Sequence, residues 1–288
     1  MKLAYTNGSM IKTNLPIVSV VICVINPHPI YFVEAVGSIL QQTLKDFELI
    51  IIEEPSSASA GDILKKFDDD RIRHFLHPFR TSLIEQRNRG IEYAKTNLIA
   101  VLDSDDIAEP DRLEKQVAYL NSHPEVGVLG AQLHLIDSEG RTIGYRHYPT
   151  GPDVIAETMK LFNPIGQPSV MYRKSLVKSM GGYNYTRYSV NSDYELWCRL
   201  ASNGVKLANL KEVLVRYRIH PMGMKTTKLR EVVKATIDIK QKYFHGRMGP
   251  RALLRLWIEK MLLLLPPLLV LKLFLRMNLK NRPPYSGA

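Results

Sequence analysis

Asp103-Ser104-Asp105, with Asp106 directly after, is the densest cluster of chemistry-capable side chains in this 288-residue chain. Two carboxylates flanking a small residue offer hard oxygen ligands with open coordination positions, a donor set suited to Mg2+ or Mn2+ shared with a substrate diphosphate. A cation held there would neutralise the charge that grows on a phosphate leaving group. The same residues also admit a plainer reading, since aspartate is common before a helix and Asp103 or Asp106 could simply cap the next one. Two further polar groups stand at comparable places, Asn26 after the apolar run 17–25 and Glu53-Glu54 after the run 47–52.

The elements that must carry these groups alternate. The runs 17–25, 47–52 and 98–102 are near-continuous and β-branched, as expected of parallel strands covered on both faces, and 72–76 reads as a further strand. Between them, 31–43 carries Phe32, Val36, Ile39 and Leu40 on one helical stripe, 61–67 is a short helix, and Ser82 with Glu85 resembles a capping box opening a helix through Ala94. Pro110 is expected in the first turn of a helix reaching Leu120. Beyond Val126 the texture changes to short strands (126–135, 169–172) and a helix over 192–201 stopped by Gly204. Alternation of this kind implies an α/β fold with a doubly wound, mainly parallel, Rossmann-like sheet flanked by helices, whose ligands bind at the carboxyl ends of the strands. The acids at three such ends are therefore expected to meet in one crevice.

Composition narrows the class. An apolar share of 45% and a charged share of 23% disfavour disorder, collagen and a multi-span membrane protein. The net charge of +11 is uneven: residues 1–205 hold 21 Lys+Arg against 24 Asp+Glu, and residues 206–288 hold 18 against 4. A basic nucleic-acid groove in the main body is disfavoured, and the tail is expected to meet something anionic. Cys23 and Cys198, the two cysteines, support neither a disulfide framework nor a thiolate zinc site and read as core filler in a reducing compartment. The start of the chain lacks the apolar stretch of a signal peptide.

An ordered set of blocks resembles glycosyltransferase family 2. They are Val18-Ser19-Val20-Val21-Ile22, Ser38-Ile39-Leu40-Gln41-Gln42-Thr43, Phe47-Glu48-Leu49-Ile50-Ile51-Ile52, Arg87-Asn88-Arg89-Gly90-Ile91, Leu102-Asp103-Ser104-Asp105-Asp106 and Pro110-Asp111-Arg112-Leu113-Glu114. Downstream follow Pro168 to Arg173, Gly181-Gly182-Tyr183, Ser192 to Leu200 and Tyr217-Arg218-Ile219-His220. The resemblance implies a GT-A fold over residues 16–221, with a nucleotide-binding half to about 125 and an acceptor half after it, a 1–15 extension before it and the 222–288 tail behind it. It also implies a sugar-nucleotide donor, a UDP-sugar being favoured, a divalent Mg2+ or Mn2+, and inversion at the anomeric carbon.

Position by position, the resemblance makes Asp105 the metal-binding aspartate, with Asp103 beside it for ribose or metal and Ser104 between them at the donor. Glu53 and Glu54 stand where the family usually has an Asp-Asp pair at the nucleotide base, and Pro55 replaces a common glycine. Arg87 matches an arginine at the nucleotide pocket. Cys23, Ile25 and Asn26 line the first strand's end, where Thr-x-Tyr-Asn has become Cys-Val-Ile-Asn and the aromatic is missing. Asp193 matches the catalytic base, which takes a proton from the acceptor hydroxyl, although the usual Glu-Asp is here Ser192-Asp193; the same aspartate would also suit the first turn of a helix. Arg218 and His220 match a late Arg-x-His that closes on the diphosphate and metal. The Gln-x-x-Arg-Trp block of the processive branch is absent, so one sugar per encounter is expected, passed to a cell-surface glycan or a lipid-linked acceptor.

The tail lies outside the resemblance. Its apolar run 261–271 is bracketed by Lys260 and Lys272 and broken by Pro266-Pro267, with Arg251, Arg255, Arg276, Lys280 and Arg282 around it. Eleven residues are short for a span, which needs about 20. Two short helices in the headgroup layer of an anionic membrane are expected, placing the protein peripherally on the cytoplasmic face; the competing reading is a helical pair packed on the main domain. Two other functions compete with transfer. A phosphohydrolase with an Asp-x-Asp nucleophile expects its motif after the first strand, whereas here it follows the fourth. A non-catalytic nucleotide-sugar-binding or scaffold protein of the same fold would be consistent with the altered Cys-Val-Ile-Asn and Glu-Glu-Pro positions.

Overall fold

Three runs of β-branched residues form the centre of the molecule. The computed structural model describes residues 4–6, 9–11, 15–185, 190–220, 228–266 and 269–270. After a small antiparallel pair, β1 (Ala4–Thr6) and β2 (Ser9–Ile11), the chain enters β3 (Val18–Val24), α1 (Pro29–Leu40), β4 (Phe47–Glu53), α2 (Ala60–Leu64), β5 (Ile72–Leu76), α3 (Leu83–Tyr93) and β6 (Leu98–Val101). Then come β7 (Ile107–Ala108), α4 (Arg112–Ser122), β8 (Val126–Ile136), β9 (Thr142–Arg146), α5 (Pro152–Met159), β10 (Met171–Arg173), α6 (Lys174–Ser179), α7 (Ser192–Ser202) and β11 (Lys206–Arg218). Two helices follow, α8 (Leu229–Phe244) and α9 (Pro250–Leu262).

The main sheet runs β5-β4-β3-β6-β10-β8-β11-β7, with β9 added on β8. Its first four strands are parallel, as their unbroken apolar sequences require. The expectation of a mainly parallel sheet needs correction beyond β6. There β10 is antiparallel to both neighbours, β7 to β11 and β9 to β8, and only β8 and β11 pair parallel, so the whole sheet is mixed. The sheet divides two cores. One joins Val20 and Ile22 of β3 to Phe32, Val36 and Ile39 of α1 and Leu113 of α4. The other joins Val21 and Ile50 to Ile84 and Ile91 of α3, Trp197 of α7 and Ile239 of α8.

Several boundaries differ from the sequence reading for identifiable reasons. Helix α1 begins at Pro29, whose fixed φ suits a first turn, and ends before Gln41-Gln42-Thr43. Pro110 precedes α4 rather than sitting in its first turn, and Asp111 is the N-cap residue. The strand expected over 126–135 is β8, which runs one residue further, to Ile136. Helix α3 starts at the expected capping box, with Ser82 and Glu85 bonded reciprocally. Among the described residues, no helix is long and apolar enough to cross a membrane. Residues 267–268 and 271–288, including Lys272, Arg276, Lys280 and Arg282, lie outside the described residues.

Candidate active site

The acid cluster leaves β6 at a strand end fixed from below. The buried Arg112 guanidinium donates through Nη2 to the carbonyls of Val101 (2.7 Å) and Val170 (3.2 Å), and burial pulls its pKa down to about 9. The Ser38 to Thr43 block holds the stretch after the cluster. Gln42 Nε2 donates to Glu109 O at 2.7 Å, its Oε1 accepts from Leu113 N at 2.9 Å, Ser38 Oγ accepts from Ala108 N at 3.0 Å, and Thr43 N donates to Pro110 O at 2.8 Å. These two blocks therefore set the course of the chain on either side of Asp103-Ser104-Asp105.

Asp105 meets the far end of β11. His220 Nε2 lies 2.8 Å from Asp105 Oδ2, and both side chains keep partial exposure. Arg218 lies beneath them: its backbone N–H donates to Asp106 Oδ1 (2.8 Å), Nε to Asp105 O (3.0 Å), Nη2 to Glu34 Oε2 (2.6 Å) and Nη1 to the carbonyls of Asp137 and Ser138 (both 3.3 Å). With its side chain 2% exposed and every nitrogen donating to protein, Arg218 acts in this structure as a strut rather than an open anion receptor. Tyr31 lies beneath the guanidinium at 4.3 Å, stacks on His28 at 3.8 Å and approaches His220 at 5.6 Å.

The Asp105 and His220 pair fits a divalent cation chemically, one hard oxygen and one imidazole nitrogen converging on a partly open site. Among the described residues no group of three or more His, Cys, Asp or Glu could cage a metal. A cation held by these two residues would take its remaining ligands from water and substrate oxygens, as is usual for Mg2+ bound with a diphosphate.

Arg87 connects the acid cluster with the second half of the site. Its Nη2 stands 3.9 Å from Asp103 Oδ1, its Nη1 donates to Ser192 Oγ at 3.2 Å, and its guanidinium lies 5.4 Å from the Tyr183 ring centre. Burial opposes its charge, but Tyr183, Asp103 and Asp193 more than offset that, so its pKa is raised. Close packing brings it there: a Cβ on Gly90 would fall 2.5 Å from Val21 Cγ1, so only glycine lets α3 lie this near β3. Asn88 holds the Gly181-Gly182-Tyr183 turn, accepting from Tyr183 N (2.8 Å) and donating to Tyr183 O (2.9 Å).

Asp193 occupies the first turn of α7, at the positive end of the helix. Asn163 Nδ2 donates to its Oδ2 at 2.9 Å. The turn that delivers Asp193 is itself anchored. Asn191, at a left-handed φ of 56°, donates through Nδ2 to Val232 O (3.0 Å) and Thr236 Oγ1 (2.8 Å) of α8.

The remaining expected positions divide. Asn26 also takes a left-handed φ of 50°, and its loop is bonded to Ser56 and Ser57. Ile25 is exposed beside it, and the Cys23 thiol is pushed up to about 12 by burial. Glu53 accepts from the N–H groups of Ala60 (2.7 Å) and Gly61 (3.2 Å) and meets His74 Nε2 at 2.6 Å. Glu54 is fully buried, bonded to the Thr81 backbone and hydroxyl and paired with Arg89 at 3.4 Å. Both carboxylates of this pair are thus committed to protein donors. Ser104 lies half-buried between the two aspartates. Sequence reasoning had not singled out Tyr31, Glu34, Asn163 or Asn191. His28 and Tyr31 follow a strand end closely enough to have drawn notice, whereas Asn163 and Asn191 depend on contacts made only in the folded chain.

The family model for glycosyl transferase family 2 matches residues 19–180. The O-antigen biosynthesis glycosyltransferase WbnJ of Escherichia coli is 32% identical over 218 residues, covering 69% of this chain and 79% of that one. The UDP-Glc:alpha-D-GlcNAc-diphosphoundecaprenol beta-1,3-glucosyltransferase WfaP of Escherichia coli is 26% identical over 226 residues, covering 78% and 86%. Among solved structures, S. aureus TarS 1-349 in complex with UDP-GlcNAc superposes with a TM-score of 0.61 at 16% identity, covering 80% of this chain and 68% of that one. In a longer TarS structure this chain spans 39% of the length. The likeness to TarS is one of fold, the α/β GT-A type.

Proposed function

The chain belongs to glycosyl transferase family 2 and is a glycosyltransferase, and we propose that it transfers one sugar per encounter, with inversion, from a nucleotide-sugar donor to a hydroxyl of a cell-surface glycan or lipid-linked acceptor. A UDP-sugar is the favoured donor, because the TarS fold neighbour binds UDP-GlcNAc and the WfaP relative is named for UDP-Glc. The acceptor class follows the names of WbnJ and WfaP, an O-antigen enzyme and one acting on a diphosphoundecaprenol-linked sugar.

The observation that carries this reading is the bridge made by Arg87, 3.9 Å from Asp103 on the donor side and 3.2 Å from Ser192 Oγ, the neighbour of Asp193, on the acceptor side. A donor diphosphate lying against Asp103 and Asp105 then has its anomeric carbon directed towards the first turn of α7. Asp105 and His220 would hold Mg2+ or Mn2+, which would supply charge neutralisation for the departing diphosphate. Arg87 adds a fixed positive charge to the same region. The acceptor oxygen attacks the anomeric carbon from the face opposite the leaving group while Asp193 takes its proton. The carbon–oxygen bond to the diphosphate breaks, its electron pair leaves with the nucleoside diphosphate, and the configuration inverts. Asn163 holds one oxygen of Asp193 and leaves the other for the proton.

A panel of sugar nucleotides offered with Mn2+ or Mg2+, scored for nucleoside diphosphate release and for thermal stabilisation, tests this reading. One uridine donor is expected to stabilise the protein and to be turned over only with metal. Turnover undiminished after chelation would remove the metal from the account.

A further inference from the structure

Helix α9 has two apolar faces, and only one is used by the fold. Ala252, Leu256 and Glu259 turn inward, where Glu259 receives Lys240 Nζ of α8 at 2.7 Å and Arg255 Nε at 3.1 Å. On the opposite side Leu253, Leu254, Trp257 and Met261 are exposed, and Leu264 follows in the turn beyond. Steps of one, three, four and three residues keep these five side chains on one helical stripe. Trp257 is 59% exposed and Leu264 75%. Exposed Arg251 and Lys260 flank the stripe.

We infer that this stripe seats the enzyme on the surface of an anionic lipid bilayer. Charge selects that partner. From Ile239 to the last residue the chain carries ten Lys and Arg and a single acid, Glu259, and that acid is buried against Lys240. Among the described residues of α9 and the turn after it, no exposed acid flanks the stripe. A second copy docking through the same face would set cations against cations, which opposes a two-fold interface. A bilayer with anionic headgroups accepts both components, aromatic and leucine side chains at the acyl boundary and cations above them.

The surface is also placed to serve the reaction. Helices α8 and α9 run antiparallel, since Lys240 pairs with Glu259 while Arg230 Nη2 donates to Leu265 O at 3.2 Å. The first half of α8 is the part that holds Asn191, two residues before Asp193. The end of the stripe at Leu264 thus lies at the same end of α8 as the turn carrying Asp193. Seating α9 brings the acceptor side of the site towards the lipid surface, where a lipid-linked acceptor is presented; this last step rests on the proposed function, and the docking itself does not.

The full-length protein reports its own binding. Of the two tryptophans, Trp197 is fully buried and Trp257 is exposed, so a change in emission on adding vesicles comes from the stripe. With phosphatidylglycerol–phosphatidylcholine vesicles a blue shift and quenching by brominated lipid are expected, with much weaker responses on phosphatidylcholine alone. The double variant Leu254→Glu, Leu264→Glu keeps both tryptophans and is expected to partition at least ten-fold more weakly, while releasing nucleoside diphosphate from the donor at the parent rate. If the glutamates lower the melting temperature, Leu253→Ser with Leu264→Ser takes their place. An emission spectrum indifferent to anionic vesicles would overturn the assignment. So would a lipid-free blue shift that grows with protein concentration alongside a dimer in sedimentation, which would give the stripe to a second copy. Loss of donor turnover in the parent would instead strike the proposed function and leave the docking intact.

Discussion

Asn163 donates its Nδ2–H to Oδ2 of Asp193 at 2.9 Å, joining the loop after α5 to the first turn of α7. The bond fixes the carboxylate rotamer and leaves Oδ1 as the oxygen able to face an acceptor. Replacing Asn163 by Ala is expected to lower kcat about ten-fold or more, because misplacing a general base forfeits part of its contribution, with the donor KM nearly unchanged. Asn163→Asp replaces the donor with a like charge against Asp193 and is expected to lower kcat at least as far. Parent-like kcat from both variants would show that Asn163 does not position the base.

The Asp105–His220 contact leads to a metal titration. His220→Ala removes one of the two ligands proposed for the metal, and the Mn2+ concentration giving half-maximal release is expected to rise about ten-fold or more, the scale on which changes around a metal site act. Chelation is expected to abolish release in the parent, with activity restored by added Mn2+ or Mg2+. An unchanged metal response in the variant would exclude His220 as a ligand.

Lys240 and Glu259 form a buried ion pair, and burial lowers the Lys240 pKa. Breaking such a pair by removing one member costs about 3–5 kcal/mol, because the other charge is left buried, while replacing both by apolar groups is often near neutral. Lys240→Met is therefore expected to be strongly destabilising in urea denaturation. The double variant Lys240→Met, Glu259→Leu is expected to recover most of the loss. Equal stabilities for the single and double variants would contradict this.

Glu195 ties α7 to α8, accepting from Arg199, Lys242 and Tyr243. Burial works against its ionisation, yet the hydrogen bonds from Tyr243 and Arg199 outweigh it and hold its pKa below the ordinary 4.5. A carboxyl with a depressed folded pKa contributes stability that is present above the unfolded value and lost as pH falls through the folded one. The melting temperature is thus expected to decline below pH 4.5, and Glu195→Gln is expected to start lower at neutral pH and decline less. Parallel curves for parent and variant would assign the acid sensitivity elsewhere.

The thiols make a simpler case. Burial pushes Cys23 up to about 12 and Cys198 well above the usual thiol range, so neither carries appreciable thiolate at neutral pH. Native protein is expected to resist iodoacetamide at pH 7.5 and to react at both positions once unfolded, as peptide mass mapping would record. Rapid native labelling of Cys23, which is half-buried, would contradict its raised pKa.

Much of the nucleotide-side architecture was legible because its determinants are local. Strands β3, β4 and β6 announce themselves as unbroken apolar runs, and α3 by the Ser82–Glu85 box. Strand β11 was not legible: Lys211, Glu212 and Arg216 interrupt it on exposed positions, so neither strict alternation nor a continuous run survives. The mixed sheet was hidden for a related reason, since β10 is three residues long and its direction is set by its neighbours. At the site, Asp105, Asp193, Arg87 and His220 could be located from ordered motifs, and the structure brings Asp105 to His220 and Arg87 beside Ser192. Their supports could not, because Asn163, Glu34 and Asn191 act across 30 or more residues of sequence. The tail was read as either membrane-facing or packed; α9 packs through one face and exposes apolar side chains on the other.

Asp193→Asn tests most directly whether Asp193 takes the acceptor proton. Nucleoside diphosphate release with acceptor and metal present is measured beside the thermal shift produced by the donor. Loss of a general base is expected to slow release by about 10²–10⁴-fold, with the donor-induced shift retained because the donor side is untouched. Release within a few-fold of the parent, with donor binding intact, would contradict the account.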